Sequence, residues 1–263
     1  MSSNNEIRCL QPVTLITGAS TGIGAELAKV FARHGHALAL VARREAQLAS
    51  LADEIAATSR PRPHIVPLDL GLPGAAEQVA AALRARAIEP DIVVNNAGFG
   101  LMGAAAALNR AEQLAMIDLN VRIVTDLSLR FLESVERHRG GILNIGSVAS
   151  FMPGPDLAVY HATKAYVLSF SEALHWELKP KGVRVTALCP GPVETEFQAR
   201  AEMPPDYFPG FLKRSAARVA EEGYAGLMRG RRLVVPGAAN KIATFLPRIV
   251  PRALVLRLAR GRQ

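Results

Sequence analysis

The first hundred residues alternate between short runs of β-branched and aliphatic residues and longer stretches rich in Ala and Leu. The short runs predict buried strands. The longer stretches repeat apolar residues at helical spacing, as Ile23, Leu27 and Phe31 do. Consecutive parallel strands need a crossover, usually a helix, so this alternation predicts a parallel sheet with helices on both faces.

The same pattern continues to residue 235. We predict strands at residues 12–17, 37–42, 64–68, 91–95, 142–145, 183–188 and 232–235. The chain has 263 residues and contains neither an internal repeat nor a linker rich in Gly, Ser or Pro. We therefore expect one α/β domain over residues 1–263, a doubly wound parallel sheet whose core spans residues 12–195.

Charge is unevenly distributed along the chain. The net charge of the chain is +8. Hydrophobic residues make up 49% of the chain, which is enough for a buried core. After Glu222 there is no acidic residue but nine basic ones, so residues 1–222 carry 22 − 23 = −1. Because the main body is nearly neutral, nucleic acid is not an expected partner.

Cysteine, histidine and terminal patterns narrow the class further. The two cysteines and six histidines lack the spacing of metal ligands, so no metal site is expected. Residues 1–6 are polar and lack the pattern of a signal peptide, and no apolar run is long enough to span a bilayer. We expect a cytoplasmic protein.

A glycine cluster lies between the first strand and the first helix. Glycines at such a turn let the backbone approach a pyrophosphate, and the helix N-terminus favours an anion. The alternative is tight packing alone. The spacing is G-x-x-x-G-x-G, and its candidate cofactor-binding residues are Gly18, Ser20, Thr21, Gly22, Ile23 and Gly24.

The ends of the next strands supply further candidates for dinucleotide binding. Ala42 stands where a carboxylate would bind the ribose of NAD, and Arg43 follows it, which favours the 2′-phosphate of NADP. Alternatively, Arg43 is a solvated start to the next helix. Asp69 is placed to reach the adenine. A second group, Asn96, Ala97 and Gly98, ends the fourth strand at the edge where ligands bind.

Tyr160 and Lys164 are four residues apart on a predicted helix that runs to about Leu178, so both lie on one helix face. An ammonium near a phenol favours the phenolate and could make the phenol an acid–base group near neutral pH. Ser147 follows a strand, where its hydroxyl could bind a carbonyl oxygen. Taken alone, Tyr-x-x-x-Lys is often a surface pair, and such a Ser is usually a turn or cap residue.

The order of these motifs is far more specific than any one of them. Thr-Gly-x-x-x-Gly-x-Gly is followed by Asn-Asn-Ala-Gly, then by Asn120, Ser147, Tyr160 and Lys164, and finally by Pro-Gly-Pro-Val-Glu-Thr at residues 190–195. From about Pro12 to Thr195 the chain resembles the short-chain dehydrogenase/reductase superfamily in its compact single-domain form.

The resemblance implies a Rossmann-type sheet and hydride transfer between a nicotinamide and a carbonyl or alcohol. It makes Tyr160 the acid–base group and Ser147 the residue that orients the substrate oxygen. Lys164 would lower the pKa of Tyr160 and hold the nicotinamide ribose, and Asn120 would anchor a water that leads protons to Lys164. The nicotinamide wall would include Pro190, Gly191, Val193 and Thr195.

The sequence thus predicts an NADP(H)-dependent reductase of a carbonyl. Few aromatic residues occur in the chain, and their clustering near the site favours a bulky apolar ketone or acyl carbonyl, with residues 196–222 as a substrate lid. The alternative is an NADP-binding sensor without turnover. The resemblance also implies a homodimer or homotetramer.

The basic and apolar tail at residues 238–263 reads as two short helices, at residues 241–247 and 252–260, neither long enough to span a bilayer. It could pack on the pocket or on a partner subunit, or it could make peripheral contact with a membrane.

Overall fold

The computed structural model describes residues 10–201, 203, 204, 207–251 and 256. Within them, seven parallel strands form one sheet in the order β3-β2-β1-β4-β5-β6-β7. The strands are β1 Gln11–Thr17, β2 Leu38–Ala42, β3 His64–Pro67, β4 Ile88–Asn95, β5 Gly141–Ile145, β6 Arg184–Leu188 and β7 Leu233–Val234. The predicted doubly wound parallel sheet is confirmed.

Helices connect the strands and cover both faces of the sheet. They are α1 Gly22–Arg33, α2 Glu45–Ala56, α3 Ala75–Arg84, α4 Arg110–Ile117, α5 Ile123–Arg130, α6 Leu132–Arg137, α7 Ala158–Leu178, α8 Glu196–Arg200, α9 Ala216–Met228 and α10 Ala238–Phe245. Helices α1, α2 and α9 pack on one face, and α3, α5, α6 and α7 on the other. Among the described residues, none of these helices has both the length and the apolar character to cross a membrane.

The central strands are apolar because both of their faces are covered. Every residue of β2 and β5 is buried. Leu15 of β1 lies in the core beneath α3 and α5, and its neighbour Ile16 lies in the core beneath α1 and α9. Since alternate side chains point to opposite faces, one strand contributes to both cores.

Strand β4 begins earlier than the sequence predicts, at Ile88 instead of Asp91. It pairs with β1 through an irregularity, where Val13 pairs with Pro90 and Thr14 with Ile92. Proline has no N–H to donate, and a bulge is a position where a sheet tolerates it. The pattern of apolar residues alone could not indicate this extension.

Candidate active site

The glycine-rich turn between β1 and α1 is packed against the end of β4. Asn96 donates its side-chain amide to the carbonyl oxygens of Thr17 at 2.9 Å and Gly18 at 3.0 Å. A Cβ on Gly24 would lie 2.2 Å from the Gly18 oxygen, so only glycine fits there. Thr21 makes no side-chain cap at the N-terminus of α1, which leaves backbone N–H groups available for an anion. This cradle fits the pyrophosphate of a dinucleotide.

Two charged side chains meet where β2 and β3 end. The Arg43 guanidinium lies 3.8 Å from the Asp69 carboxylate, and both side chains are exposed. Ala42 is buried at the end of β2 and brings no carboxylate to this position. An exposed arginine at the end of β2 fits a 2′-phosphate, although Arg43 also has the exposure of an ordinary surface residue.

Ser147, Tyr160 and Lys164 converge at the carboxyl edge of β5. Lys164, buried on α7, donates from Nζ to the Ile145 carbonyl oxygen at 2.8 Å, and its Nζ lies 5.9 Å from the centre of the Tyr160 ring. The Ser147 side chain lies beside the Tyr160 phenol and acts to lower its pKa. Ser147 also caps the short helical turn that follows it, accepting from the Ala149 N–H at 3.1 Å. Its capping role and its position beside Tyr160 therefore coexist.

Burial dominates the ionisation of this group. It raises the pKa of Tyr160 to about 12, and the interaction with Ser147 opposes that shift only in part. Burial also lowers the pKa of Lys164 to about 8. Desolvation is the largest cause of the shift in the Tyr160 pKa, and the lowering of that pKa by Lys164 stays a prediction. At neutral pH Tyr160 is a phenol and Lys164 is mostly an ammonium.

Asn120 lies on a π-helical turn, Asp118–Arg122, between α4 and α5. Its side chain accepts from the Phe99 N–H at 3.1 Å and donates to the Phe99 carbonyl oxygen at 2.9 Å and to Thr163 at 3.1 Å. A Cβ on Gly98 would lie 2.8 Å from Asn120 Oδ1 and 3.6 Å from Lys164 Nζ. The π-turn thus holds Asn120 beside Lys164, as its predicted role requires, and π-turns often mark functional sites.

The segment after β6 forms the opposite wall of the cleft. The Pro190 carbonyl accepts from the Val148 N–H at 2.9 Å, and Val193 pairs with Arg214 in a short parallel bridge. A Cβ on Gly22 would lie 3.1 Å from Thr195 Cγ2, so this wall closes on the glycine-rich turn. Its residues therefore lie where the predicted nicotinamide wall would be.

Sequence reasoning missed a polar contact across the cleft. Arg44 is exposed, and its guanidinium donates to Glu196 at 2.8 Å, to Thr21 at 3.0 Å and to Ser20 at 3.2 Å. This ion pair lowers the pKa of Glu196. Arg44 and Glu196 are 152 residues apart, and no local pattern could have indicated their contact.

Arg200, at the end of α8, was also missed. Its guanidinium stacks 4.2 Å from the centre of the Phe99 ring. Burial lowers the pKa of Arg200, and the positive charge of Arg43 adds to this effect while Asp69 opposes it. Arg200 therefore brings a second positive charge to the side of the cleft where Arg43 and Asp69 lie.

Apolar residues surround the Tyr160 ring. A Cβ on Gly100 would lie 2.9 Å from Phe197 Cζ and 3.2 Å from Tyr160 Cδ2, so glycine permits Phe197 to approach Tyr160. The centres of the Tyr160 and Phe197 rings are 5.4 Å apart. The buried members of the cluster are Phe99, Met116, Ala149, Leu157, Tyr160, Ala201 and Met203.

The residues that form this cleft lie within the part of the chain that matches a known family. The family described as short chain dehydrogenase matches residues 12–205. The chain belongs to the short-chain dehydrogenase family. Its membership confirms the predicted superfamily and the predicted class of enzyme, an oxidoreductase.

Other members of the family, some with solved structures, are similar to this short-chain dehydrogenase over most of its length. Sulfoacetaldehyde reductase 2 of Chromohalobacter salexigens is 37% identical over 191 residues, which cover 72% of this chain and 75% of the relative. A short-chain dehydrogenase from Sphingobium yanoikuyae in complex with NADPH has a TM-score of 0.78 at 32% identity, covering 92% of this chain and 97% of that one. The bulky-bulky ketone specific alcohol dehydrogenase from Comamonas testosteroni has a TM-score of 0.75 at 29% identity, covering 93% of this chain and 96% of that one.

Proposed function

We propose that the protein is an NADP(H)-dependent reductase that converts a bulky apolar ketone or acyl carbonyl into an alcohol. The observation that carries this proposal is the convergence of Ser147, Tyr160 and Lys164 beside a cluster of apolar side chains. A proton donor and a second hydroxyl next to an apolar surface suit a carbonyl that carries apolar substituents.

The cofactor proposal rests on the end of β2. Ala42 leaves this position without the carboxylate that would favour NAD, and the exposed Arg43 lies 3.8 Å from the Asp69 carboxylate. A 2′-phosphate could therefore bind Arg43 with a charge-assisted contact. The complex of the Sphingobium yanoikuyae relative with NADPH supports the same cofactor.

When bound, the nicotinamide supplies the hydride that the carbonyl carbon accepts. Tyr160 keeps its proton at neutral pH because burial raises its pKa to about 12, and it delivers that proton to the carbonyl oxygen. Ser147 is placed to donate a hydrogen bond to the same oxygen. Lys164 remains largely charged below its pKa of about 8 and favours negative charge on the nearby phenolate once the proton has left.

The apolar cluster supports the substrate class. Phe197 and Met203 come from the segment after β6 and pack with Phe99 around Tyr160. Because an apolar lining contributes about 25 cal/mol for each Å² that a ligand buries, large apolar substituents are favoured over a small hydroxy acid. The Comamonas testosteroni alcohol dehydrogenase, which is specific for bulky-bulky ketones, supports this preference.

A panel of carbonyl compounds tests the proposal, with NADPH consumption followed by absorbance. We expect turnover with bulky ketones, and Tyr160→Phe should lower kcat by about 10²-fold or more while NADPH still binds. Tyr166→Phe is the matched control, since that hydroxyl lies on the same helix and is hydrogen bonded to Thr125 at 2.9 Å.

NADPH binding without consumption across the whole panel would support the alternative, a nucleotide-binding sensor. Turnover by Tyr160→Phe at the wild-type rate would contradict the role given to Tyr160.

We also propose that the protein forms a homodimer or homotetramer through α5 and α7. Leu129 of α5 and Tyr166 of α7 are exposed, and the Tyr166 hydroxyl is hydrogen bonded to Thr125 of α5. Light scattering with Leu129→Arg tests this proposal, since a charge at the contact should give monomers.

A further inference from the structure

Helix α10 has its polarity reversed relative to an ordinary surface helix. Its polar residues Asn240 and Thr244 face inward and are buried, whereas Ile242 and Phe245 are 69% and 59% exposed. Asn240 is held by donating to the carbonyl oxygens of Pro236 at 2.9 Å and Leu212 at 3.2 Å. The inward face is thus satisfied by hydrogen bonds, and the apolar face is left toward solvent.

The exposed apolar face continues beyond the helix. Leu246 and Ile249 are also exposed, and residues 242, 245, 246 and 249 follow the spacing of one helix face. Phe211 is 68% exposed on the turn whose Leu212 accepts from Asn240. We call this set, Phe211, Ile242, Phe245, Leu246 and Ile249, the α10 surface.

A groove of about 260 Å³ opens beside Phe245. Its lining is mostly apolar, with the Lys241 ammonium as the charged group among the residues Phe151, Leu233, Val235, Lys241, Thr244 and Phe245. Apolar walls with one ammonium suit a hydrocarbon chain that carries an anionic head group.

The charge of the surrounding sequence selects the partner. From Gly223 to the end of the chain there are nine basic residues and no acidic residue. A two-fold contact between two α10 surfaces would bring the exposed Lys241 ammonium of each copy to one interface, which like-charge repulsion disfavours. An anionic surface complements this charge, and a short helix with an apolar face can lie in its interface.

We propose that the α10 surface docks the protein on anionic lipid bilayers, with Phe245 and its apolar neighbours inserted among the acyl chains and Lys241 at the head groups. Helix α10 has eight residues, and docking would place it in the plane of the interface. Docking needs neither cofactor nor substrate, so it is independent of the proposed reaction.

Sedimentation of the full-length protein with vesicles tests the proposal. We expect binding to vesicles that contain phosphatidylserine, weak binding to phosphatidylcholine alone, and release by salt. Phe245→Ser should weaken binding by about tenfold or more, because burial of a phenyl ring is lost. Lys241→Glu should weaken it by about tenfold at low salt.

Leu72→Ser is the matched control. Leu72 is 59% exposed, as Phe245 is, but it follows β3, at the edge of the sheet opposite β7. The thermal midpoint of each variant shows whether it is folded, and Ile242→Ser replaces Phe245→Ser if that variant is unstable. The proposal is overturned if wild type fails to sediment with anionic vesicles at low salt, or if Leu72→Ser weakens binding as much as Phe245→Ser does. It is also overturned if Phe245→Ser converts an oligomer into monomers and vesicle binding is absent, since the surface would then belong to a second copy of the chain.

Discussion

Lys164 is a buried cation, and replacing it should stabilise the protein while impairing its function. Burial lowers the pKa of Lys164 from 10.5 to about 8. At about 1.36 kcal/mol per pKa unit, keeping the ammonium in the folded state costs about 3 kcal/mol at pH 7. Lys164→Met removes this cost but also the hydrogen bond to the Ile145 carbonyl, which contributes about 1 kcal/mol. We therefore expect the free energy of unfolding to rise by about 2 kcal/mol.

The pH dependence identifies the cause of this gain. Since the folded pKa of Lys164 is the lower one, the unfolded chain binds more protons between pH 8 and 10.5, and wild-type stability rises with pH there. By about pH 9.5 the wild type should have regained about 2 kcal/mol, so the two proteins should unfold at nearly the same urea concentration.

Urea denaturation at both pH values measures the difference between the variants. Lys181→Met, which removes an exposed lysine just beyond α7, is the control and should differ little from wild type at either pH. A Lys164→Met protein that is less stable than wild type at pH 7, or whose advantage does not shrink with pH, would refute this reasoning.

Two further substitutions probe the cofactor cleft. Arg43→Ala should remove most of a preference for NADPH over NADH of about tenfold or more in kcat/KM, by weakening NADPH alone; equal use of both cofactors by wild type would show that Arg43 is an ordinary surface residue. Gly24→Ala would place a Cβ 2.2 Å from the Gly18 oxygen, so it should lower the free energy of unfolding by about 2 kcal/mol and weaken dinucleotide binding. Gly210→Ala, where a Cβ meets nothing within 4 Å, should change neither quantity.

The elements could be predicted because their signals are local. Buried parallel strands need continuous apolar runs, and the helices between them need apolar residues at helical spacing. The predicted helix from Tyr160 to about Leu178 corresponds to α7, Ala158–Leu178. The start of β4 has no such local signal, because Pro90 belongs to the strand only through its pairing with β1.

The structure of the C-terminal tail could be predicted from the sequence only in part. Its first predicted helix corresponds to α10, but its second, at residues 252–260, falls almost entirely outside the described residues. The sequence showed that apolar and basic residues are interleaved there. The sequence could not show that the polar side of α10 faces inward. That orientation depends on the hydrogen bonds that Asn240 donates to the carbonyl oxygens of Pro236 and Leu212.

The sequence by itself determined the parallel sheet, the glycine-rich turn and the order of Ser147, Tyr160 and Lys164, because backbone sterics and residue spacing fix these locally. Only the tertiary structure decided which groups control their chemistry. Desolvation, not the neighbouring ammonium, dominates the pKa of Tyr160, since the apolar cluster around it is assembled from segments far apart in the chain. The contact of Arg44 with Glu196 and the stacking of Arg200 on Phe99 likewise exist only because the segment after β6 folds back over the cleft.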